Sequence, residues 1–336
     1  MKPPGAVVFL LAFGLGLGCR DRPEPTPAPP ASACPPGAPD VCLARGQAHL
    51  ADAPDKAVAA FEQGCRAADA ACCFALARLL AEGRGTGRDT PRAATLMSQS
   101  CNADLAAACV GLAGLERKVE TPDEPEVQRL FERACTLGDA TGCLEAGTRW
   151  AAGTGVAEAS KTEALKRWEK ACAGGSTRGC AALGLNLVLG LDTEKDPTRG
   201  AMLLLRACNA SDALACKDLG GLHLAGLLPD SRPAQGVVLL ENACNLGYGE
   251  GCNELAVAHA QQLGGLTRDP ATSARLFSKA CRLESPAGCG NFALALFAGD
   301  GVAADPARGR TLLARACGQG HSESCGYVEQ LESTDN

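Results

Sequence analysis

The sequence predicts an all-α fold, an α/α superhelical solenoid of about eight helix-turn-helix repeats stapled by disulfides. Three observations carry the prediction. Eighteen of the twenty cysteines fall into nine pairs of constant spacing, the second eight positions after the first, and from Cys65 onward the pairs recur every 34 to 37 residues. The segments between pairs repeat an apolar pattern of helical period. Aromatic residues supply only 4% of the 336 residues, so small and aliphatic side chains carry the apolar content, as suits many closely packed helices.

The chain begins with a short positive start, Met1-Lys2, and an apolar run from Gly5 to Gly18. That run is too short to span a bilayer comfortably and has the build of a signal peptide, which sets residues 1–18 apart as a leader. It ends at Gly18-Cys19, which resembles a bacterial lipoprotein signal, with Gly16 standing where that pattern prefers a branched apolar residue. The resemblance implies that Cys19 is lipidated and becomes the new amino terminus of an exported periplasmic or cell-surface lipoprotein, anchored in the outer membrane. Arg22 to Pro36 is rich in Pro and small residues, cannot form a helix or central strand, and reads as an extended spacer. Residues 19–36 thus form a tether, 37–331 the solenoid and 332–336 a disordered tail.

The pairs are Cys34 and Cys42, Cys65 and Cys73, Cys101 and Cys109, Cys135 and Cys143, Cys172 and Cys180, Cys208 and Cys216, Cys244 and Cys252, Cys281 and Cys289, and Cys317 and Cys325. Zinc sites would use shorter pairs with His partners, but no C-x2-C occurs and the chain has only four His. Disulfides are the better reading, and they need an oxidising compartment. Before each pair runs a segment such as LFERAC (Leu130 to Cys135) or LLARAC (Leu312 to Cys317). Four positions before the first Cys stands a large apolar residue: Phe61, Met97, Phe131, Trp168, Leu204, Leu240, Phe277 or Leu313. This is a helical face, with basic residues in the last turn where they favour the helix dipole.

A second helix follows each pair. Three positions after the second Cys the residue is usually apolar, as at Leu76, Leu112, Leu183, Leu219, Leu255 and Phe292. The next is small, as at Ala77, Gly147, Gly184, Gly220 and Ala293, which predicts close approach of another helix. Gly83, Gly153, Gly190, Gly226 and Gly299 end these helices. Pro91, Pro197, Pro233, Pro270 and Pro306 open the other set, with Asp196, Asp269 and Asp305 as N-caps and a capping box of Ser160 with Glu163. ERKVETPDEP (Glu116 to Pro125) lacks the Gly loop, so the helix ends there are open. Cys325 to Leu331 reads as a terminal capping helix.

The stretch FALALFAGDGVAADPARGRTLLARACGQG (Phe292 to Gly320) resembles the Sel1-like repeat, a relative of the tetratricopeptide repeat. GTGV at Gly153 to Val156 matches in part, and the likeness covers roughly residues 40 to 331. The paired cysteines are similar to those of secreted cysteine-rich Sel1-like proteins, which implies that each pair cross-links adjacent antiparallel helices and that Cys65 joins Cys73 rather than Cys72. The resemblance also implies a right-handed superhelix whose concave groove takes a protein or peptide partner. Some cysteine-rich members are described as penicillin-binding proteins or weak β-lactamases, the alternative reading.

The motifs of catalysis are missing. No Ser is followed three positions later by Lys, and Ser-Asp-Asn, Lys-Thr-Gly, Gly-x-Ser-x-Gly, His-Glu-x-x-His and a Walker loop do not occur. The sequence therefore predicts no catalytic residue, no cofactor and no metal. His49, His223 and His259 share a slot filled elsewhere by Leu80, Trp150, Leu187 and Leu296, which favours packing over ligation; His321 falls in an exposed turn with no evident partner. A net charge of −6 without a basic block excludes nucleic acid, and the membrane is met only through the lipid. Arg78, Arg149 and Asn186 are the expected exposed, partner-binding residues of the groove. Cys72, beside Cys73, has no activating charge among its sequence neighbours.

Overall fold

The computed structural model describes residues 39–334 apart from Asp192. Cys19, Cys34, the leader and the tether lie outside the described residues. The chain forms α1 (Pro39–His49), α2 (Pro54–Arg66), α3 (Ala70–Glu82), α4 (Thr90–Asn102), α5 (Ala106–Glu116), α6 (Glu124–Thr136), α7 (Ala140–Ala152), α8 (Lys161–Ala173) and α9 (Thr177–Leu189). It continues through α10 (Pro197–Asn209), α11 (Ala213–Leu224), α12 (Pro233–Asn245), α13 (Gly249–Gln261), α14 (Pro270–Arg282), α15 (Pro286–Ala298), α16 (Pro306–Gly318) and α17 (Ser322–Thr334). Among the described residues there is no strand, and each helix packs on the next. The last helix runs to Thr334, three residues beyond the Leu331 boundary the sequence suggests.

The invariant cysteine spacing follows from one turn, used at every junction from an even-numbered helix to the odd-numbered helix after it. Three residues past the first Cys the backbone is left-handed: Ala68, Asp104, Gly138, Gly175, Ser211, Gly247, Glu284 and Gly320. At the first of these junctions Ala68 N–H donates to Cys65 O, and Asp69 N–H reaches back to Gly64 O, the pattern of a Schellman cap. Asp69 then serves as N-cap of α3, its carboxylate accepting from Cys72 N–H. Asp139, Ser176, Asp212 and Ser285 do the same for α7, α9, α11 and α15, each such cap being worth about 1 kcal/mol. With C-cap and N-cap sharing adjacent residues, the turn length is fixed and so is the distance between the two Cys. Eight disulfides result among the described residues, with Cα–Cα distances of 4.3 to 4.7 Å, from Cys65–Cys73 to Cys317–Cys325. Their number suggests an oxidising, extracytoplasmic location.

Six even-numbered helices start on side-chain caps, the expected Ser160, Asp196, Asp269 and Asp305 among them, whereas α2 and α12 follow Ala53 and Arg232 without a side-chain cap bond. Asp89, Asp123, Ser160, Asp196, Asp269 and Asp305 each accept a backbone N–H three residues on. Asp123, with Pro125 in the first turn, settles the start of α6, where the sequence pattern left the helix ends open. Gly83, Gly153, Gly190 and Gly299 end their helices in the left-handed conformation, while after α11 the cap is Ala225 and Gly226 follows with φ of 68°.

The core is a seam between odd- and even-numbered helices, made of several apolar clusters along the stack. All eight large apolar residues four positions before a first Cys are buried, as are Leu76, Leu112, Leu183, Leu219, Leu255 and Phe292 facing them. The small residues let backbones touch. A Cβ on Gly184 would sit 2.7 Å from Gly200 O, and one on Gly200 would sit 2.5 Å from Gly184 O, so α9 and α10 cross backbone to backbone. Gly220 and Gly236 repeat the contact one unit later. Odd-numbered helices also touch one another along most of the stack, whereas among the described residues the even-numbered helices meet far less. The stack therefore bends toward the odd-numbered helices, which line its inner face. No described helix is long and apolar enough to cross a membrane.

Candidate functional site: the inner-face cleft

On each odd-numbered helix the buried positions lie three and four residues after the second Cys, so positions one, two and five fall on the opposite side and face the inner surface. Many at positions one and two are half-buried, as are Phe74 and Ala75, Val110 and Gly111, Leu144 and Glu145, and Lys217 and Asp218, whereas Ala181 and Asn253 are buried and Arg78 and Thr148 at position five are exposed. A cleft of about 810 Å³ opens where α7, α9 and α11 lie side by side. Its lining includes Leu144, Glu145 and Thr148 of α7, Ala182, Leu185 and Asn186 of α9, and Leu214 and Asp218 of α11. Trp168 of α8 lies against it from below, and Tyr248, before α13, stands at its far end.

The three residues expected to bind a partner do not share a site. Arg78, five positions after its Cys, is exposed and lines a separate small cleft of about 130 Å³ with Gln47, Glu82 and Arg84. Arg149 and Asn186 are six positions after theirs, and both are buried, at 7% and 8% exposure. One residue on a helix is a rotation of roughly 100°, which carries position six from the inner face to the seam. Arg149 there is structural: Nη2 donates to Glu124 Oε2 at 2.6 Å and to Glu124 O at 2.8 Å, and Nε donates to Gln128 Oε1 at 3.1 Å. Asn186 touches the large cleft, but its amide donates to Ala182 O at 2.8 Å.

Asp218, which lines the far end of the cleft, and the charges paired beside it were not singled out from sequence. Lys217 Nζ lies 2.6 Å from Asp218 Oδ1 and 3.6 Å from Glu254 Oε1. Burial alone would lower the Lys217 pKa, but the hydrogen bond and charge of Asp218, with Glu254, raise it overall. Burial raises the Glu254 pKa, with Asp218 and Glu250 adding to the rise against the pull of Lys217. Burial also raises that of Tyr248. One unit on, Asn291 Nδ2 donates to Asn253 Oδ1 at 2.8 Å, so a polar strip continues along α13 and α15. The signal available beforehand was the run Lys217-Asp218 and Asn253-Glu254 at positions one and two, where earlier units carry Val110-Gly111 and Ala181-Ala182.

His223 and His321 belong to the framework. His223 is buried and its Nδ1 accepts from Arg232 N–H at 3.1 Å, tying the end of α11 to the start of α12. Burial, then the Arg232 charge, lowers its pKa, so the ring is held neutral. His321, expected to have no partner, is half-buried: its Nδ1 lies 2.8 Å from Ser324 Oγ and accepts Ser324 N–H at the start of α17. Among the described residues no cluster of three or more His, Cys, Asp or Glu could hold a metal ion. The Cys72 thiol is buried, and burial, a hydrogen bond to Asp69 and the charges of Asp69 and Asp40 push its pKa up to about 12.

Helix pairs stacked on a seam of apolar and small residues, with a cleft on the inner side, define a tetratricopeptide-like repeat solenoid. A family model described as Sel1 repeat matches residues 70–105, 177–212, 213–248, 249–285 and 290–321, more than half of the chain. The chain belongs to the Sel1 repeat family, whose members usually serve as protein-interaction scaffolds. The unmatched stretch 106–176 folds into the same kind of helix pairs. A protective antigen present in uropathogenic Escherichia coli strains, displaying an SLR fold, is similar with a TM-score of 0.62 at 16% identity, over 88% of this chain and 72% of that one. A Sel1 repeat protein from Oxalobacter formigenes is similar with a TM-score of 0.61 at 22% identity, over 71% of this chain and 99% of that one. Both likenesses concern the fold. No curated protein matches the sequence.

Proposed function

We propose that this protein is an exported, envelope-anchored scaffold that holds a protein or extended peptide on its inner face and catalyses nothing. The observation that carries the reading is the cleft of about 810 Å³, open along three consecutive units and lined mostly by half-buried or exposed side chains. Its volume lies in the range of ligand-binding clefts, and its walls combine apolar surface with a few placed polar groups. Asp218 in its wall pairs with Lys217, which also approaches Glu254, an arrangement of charges that supports recognition. Lipidation at Cys19 and the Pro-rich tether would hold the solenoid at a membrane, and the disulfides agree with export. A photo-crosslinking residue at Leu185, in the cleft, should yield partner adducts in the envelope that the same residue at exposed Met202 of α10 does not. Equal labelling from both positions would place binding elsewhere. Enzyme-like turnover of a chromogenic β-lactam by pure protein would end the non-catalytic reading.

A further inference from the structure

The cleft has two chemically different ends. Leu144, Ala182 and Leu185 form an apolar wall, and Leu214 faces it with 38% of its surface exposed. The other end carries charge that its own residues do not balance. Glu145 is held by Arg117 at 3.0 Å, and Arg178 approaches Asp212 at 3.9 Å. Asp218 and Glu254 have Lys217 between them, one ammonium for two carboxylates, and Glu250 on the same helix as Glu254 adds a third negative charge. A half-buried surplus of this kind is stabilised by a second cation, because opposite charges within a few ångströms favour the ionised carboxylate.

Resting on the groove reading above, we infer that this cleft takes an extended polypeptide segment bearing a basic side chain beside an apolar one. The apolar side chain seats against Leu144, Ala182, Leu185 and Leu214. The Lys or Arg head approaches the Asp218 carboxylate from the cleft, within the field of Glu254 and Glu250, with its aliphatic stem along Tyr248. The apolar contact supplies most of the affinity and the carboxylates supply the selection, since charge complementarity discriminates partners more than it tightens them. The amide strip of Asn253 and Asn291 continues in line, where a peptide backbone leaving the charged end would meet donors and acceptors.

The test selects random peptides displayed on phage against the oxidised protein at about 0.15 M salt, where long-range attraction between exposed charges is screened beyond ~8 Å. Selected peptides are then measured on the wild type, on Asp218→Asn with Glu254→Gln, on Leu185→Lys, and on Met202→Lys as a control outside the cleft. The expected consensus places Lys or Arg next to Leu, Ile, Val or Phe. Affinity should fall about tenfold or more in the two cleft variants, the loss typical of a severed buried charge pair or a blocked apolar pocket, and should hold in Met202→Lys. Peptides that lack a basic residue and lose binding only in Leu185→Lys would overturn the charge inference and leave the groove reading standing. Peptides indifferent to both cleft variants, or a selection that yields none, would overturn the groove reading together with the inference.

Discussion

The same substitution, Gly to Ala, should act with opposite sign at two helical positions of this chain. A Cβ added at Gly114 of α5 meets nothing within 4 Å, so Gly114→Ala adds only helix propensity, about 0.5–1 kcal/mol of stabilisation. At Gly184 of α9 the new Cβ would lie 2.7 Å from Gly200 O and 3.1 Å from Leu203 Cβ. The nearest obstacle is backbone, so α9 and α10 must separate, and overpacking of this kind costs about 1–3 kcal/mol. The propensity gain is common to both variants and cancels in the comparison, which leaves a predicted difference of roughly 1–3 kcal/mol. Because solenoids unfold by neighbouring units rather than as one body, a single melting temperature is a poor readout. Native-state hydrogen exchange resolves it: α5 amides should slow about threefold in Gly114→Ala, and α9 and α10 amides should speed up in Gly184→Ala, following local stability. If Gly184→Ala also slows exchange, the backbone-to-backbone crossing of α9 and α10 is wrong, and with it the account of the small residues.

The remaining expectations concern turns, staples, titration and the buried Arg. Ala68 holds a left-handed conformation that Gly138 and Gly175 hold without strain, so Ala68→Gly should stabilise by about 1 kcal/mol and Gly138→Ala destabilise by a similar amount in denaturant titration. Replacing both Cys208 and Cys216 by Ser opens a nine-residue loop worth about 2.5 kcal/mol in the chain-entropy model; exchange should rise in α10 and α11 and barely change in α3 or α15. The folded-state pKa of Cys72 is raised to about 12 from the ordinary value of 9.0, so the unfolded chain holds fewer protons between those values. The Cys72 contribution should accordingly be intact below pH 9.0 and be lost as pH rises toward about 12, by roughly 1.4 kcal/mol per pH unit, so Cys72→Ala should make the alkaline fall in stability shallower. Arg149→Ala should cost about 2 kcal/mol by removing a buried charged donor, whereas Arg78→Ala, on the surface, should leave unfolding unchanged.

The fold was legible because its constraints are local and repeated. A first Cys, a left-handed residue, an N-cap and a second Cys must stand at fixed offsets for the turn to close, and eight junctions state the rule eight times. Half of the left-handed positions are not Gly, which is why the turn itself could not be read from glycine placement: Ala68, Asp104, Ser211 and Glu284 conceal what Gly138 and Gly175 display. The N-caps of the odd-numbered helices were equally concealed, since Asp69 or Ser176 looks like any polar turn residue until its side chain is seen to accept Cys72 or Gly179 N–H.

The site was less legible because a repeat pattern describes the positions that are alike, whereas recognition resides in those that differ. Buried offsets three and four recur as apolar and small residues, and they announce themselves. Offsets one, two and five vary from Val110-Gly111 to Ala181-Ala182 to Lys217-Asp218, and variation without a structure looks like noise. Choosing inner-face residues by charge within a window therefore brought in Arg149, whose offset of six turns it into the seam, and left out Asp218, which lines the cleft, with Lys217 and Glu254 paired beside it. Burial explains the error: a guanidinium six positions after its Cys is tolerated only because Glu124 and Gln128 wait for it, a pairing made across 21 to 25 residues that no local pattern encodes. In such a solenoid the register relative to the cysteine, more than residue type, decides whether a charge holds the fold together or meets a partner.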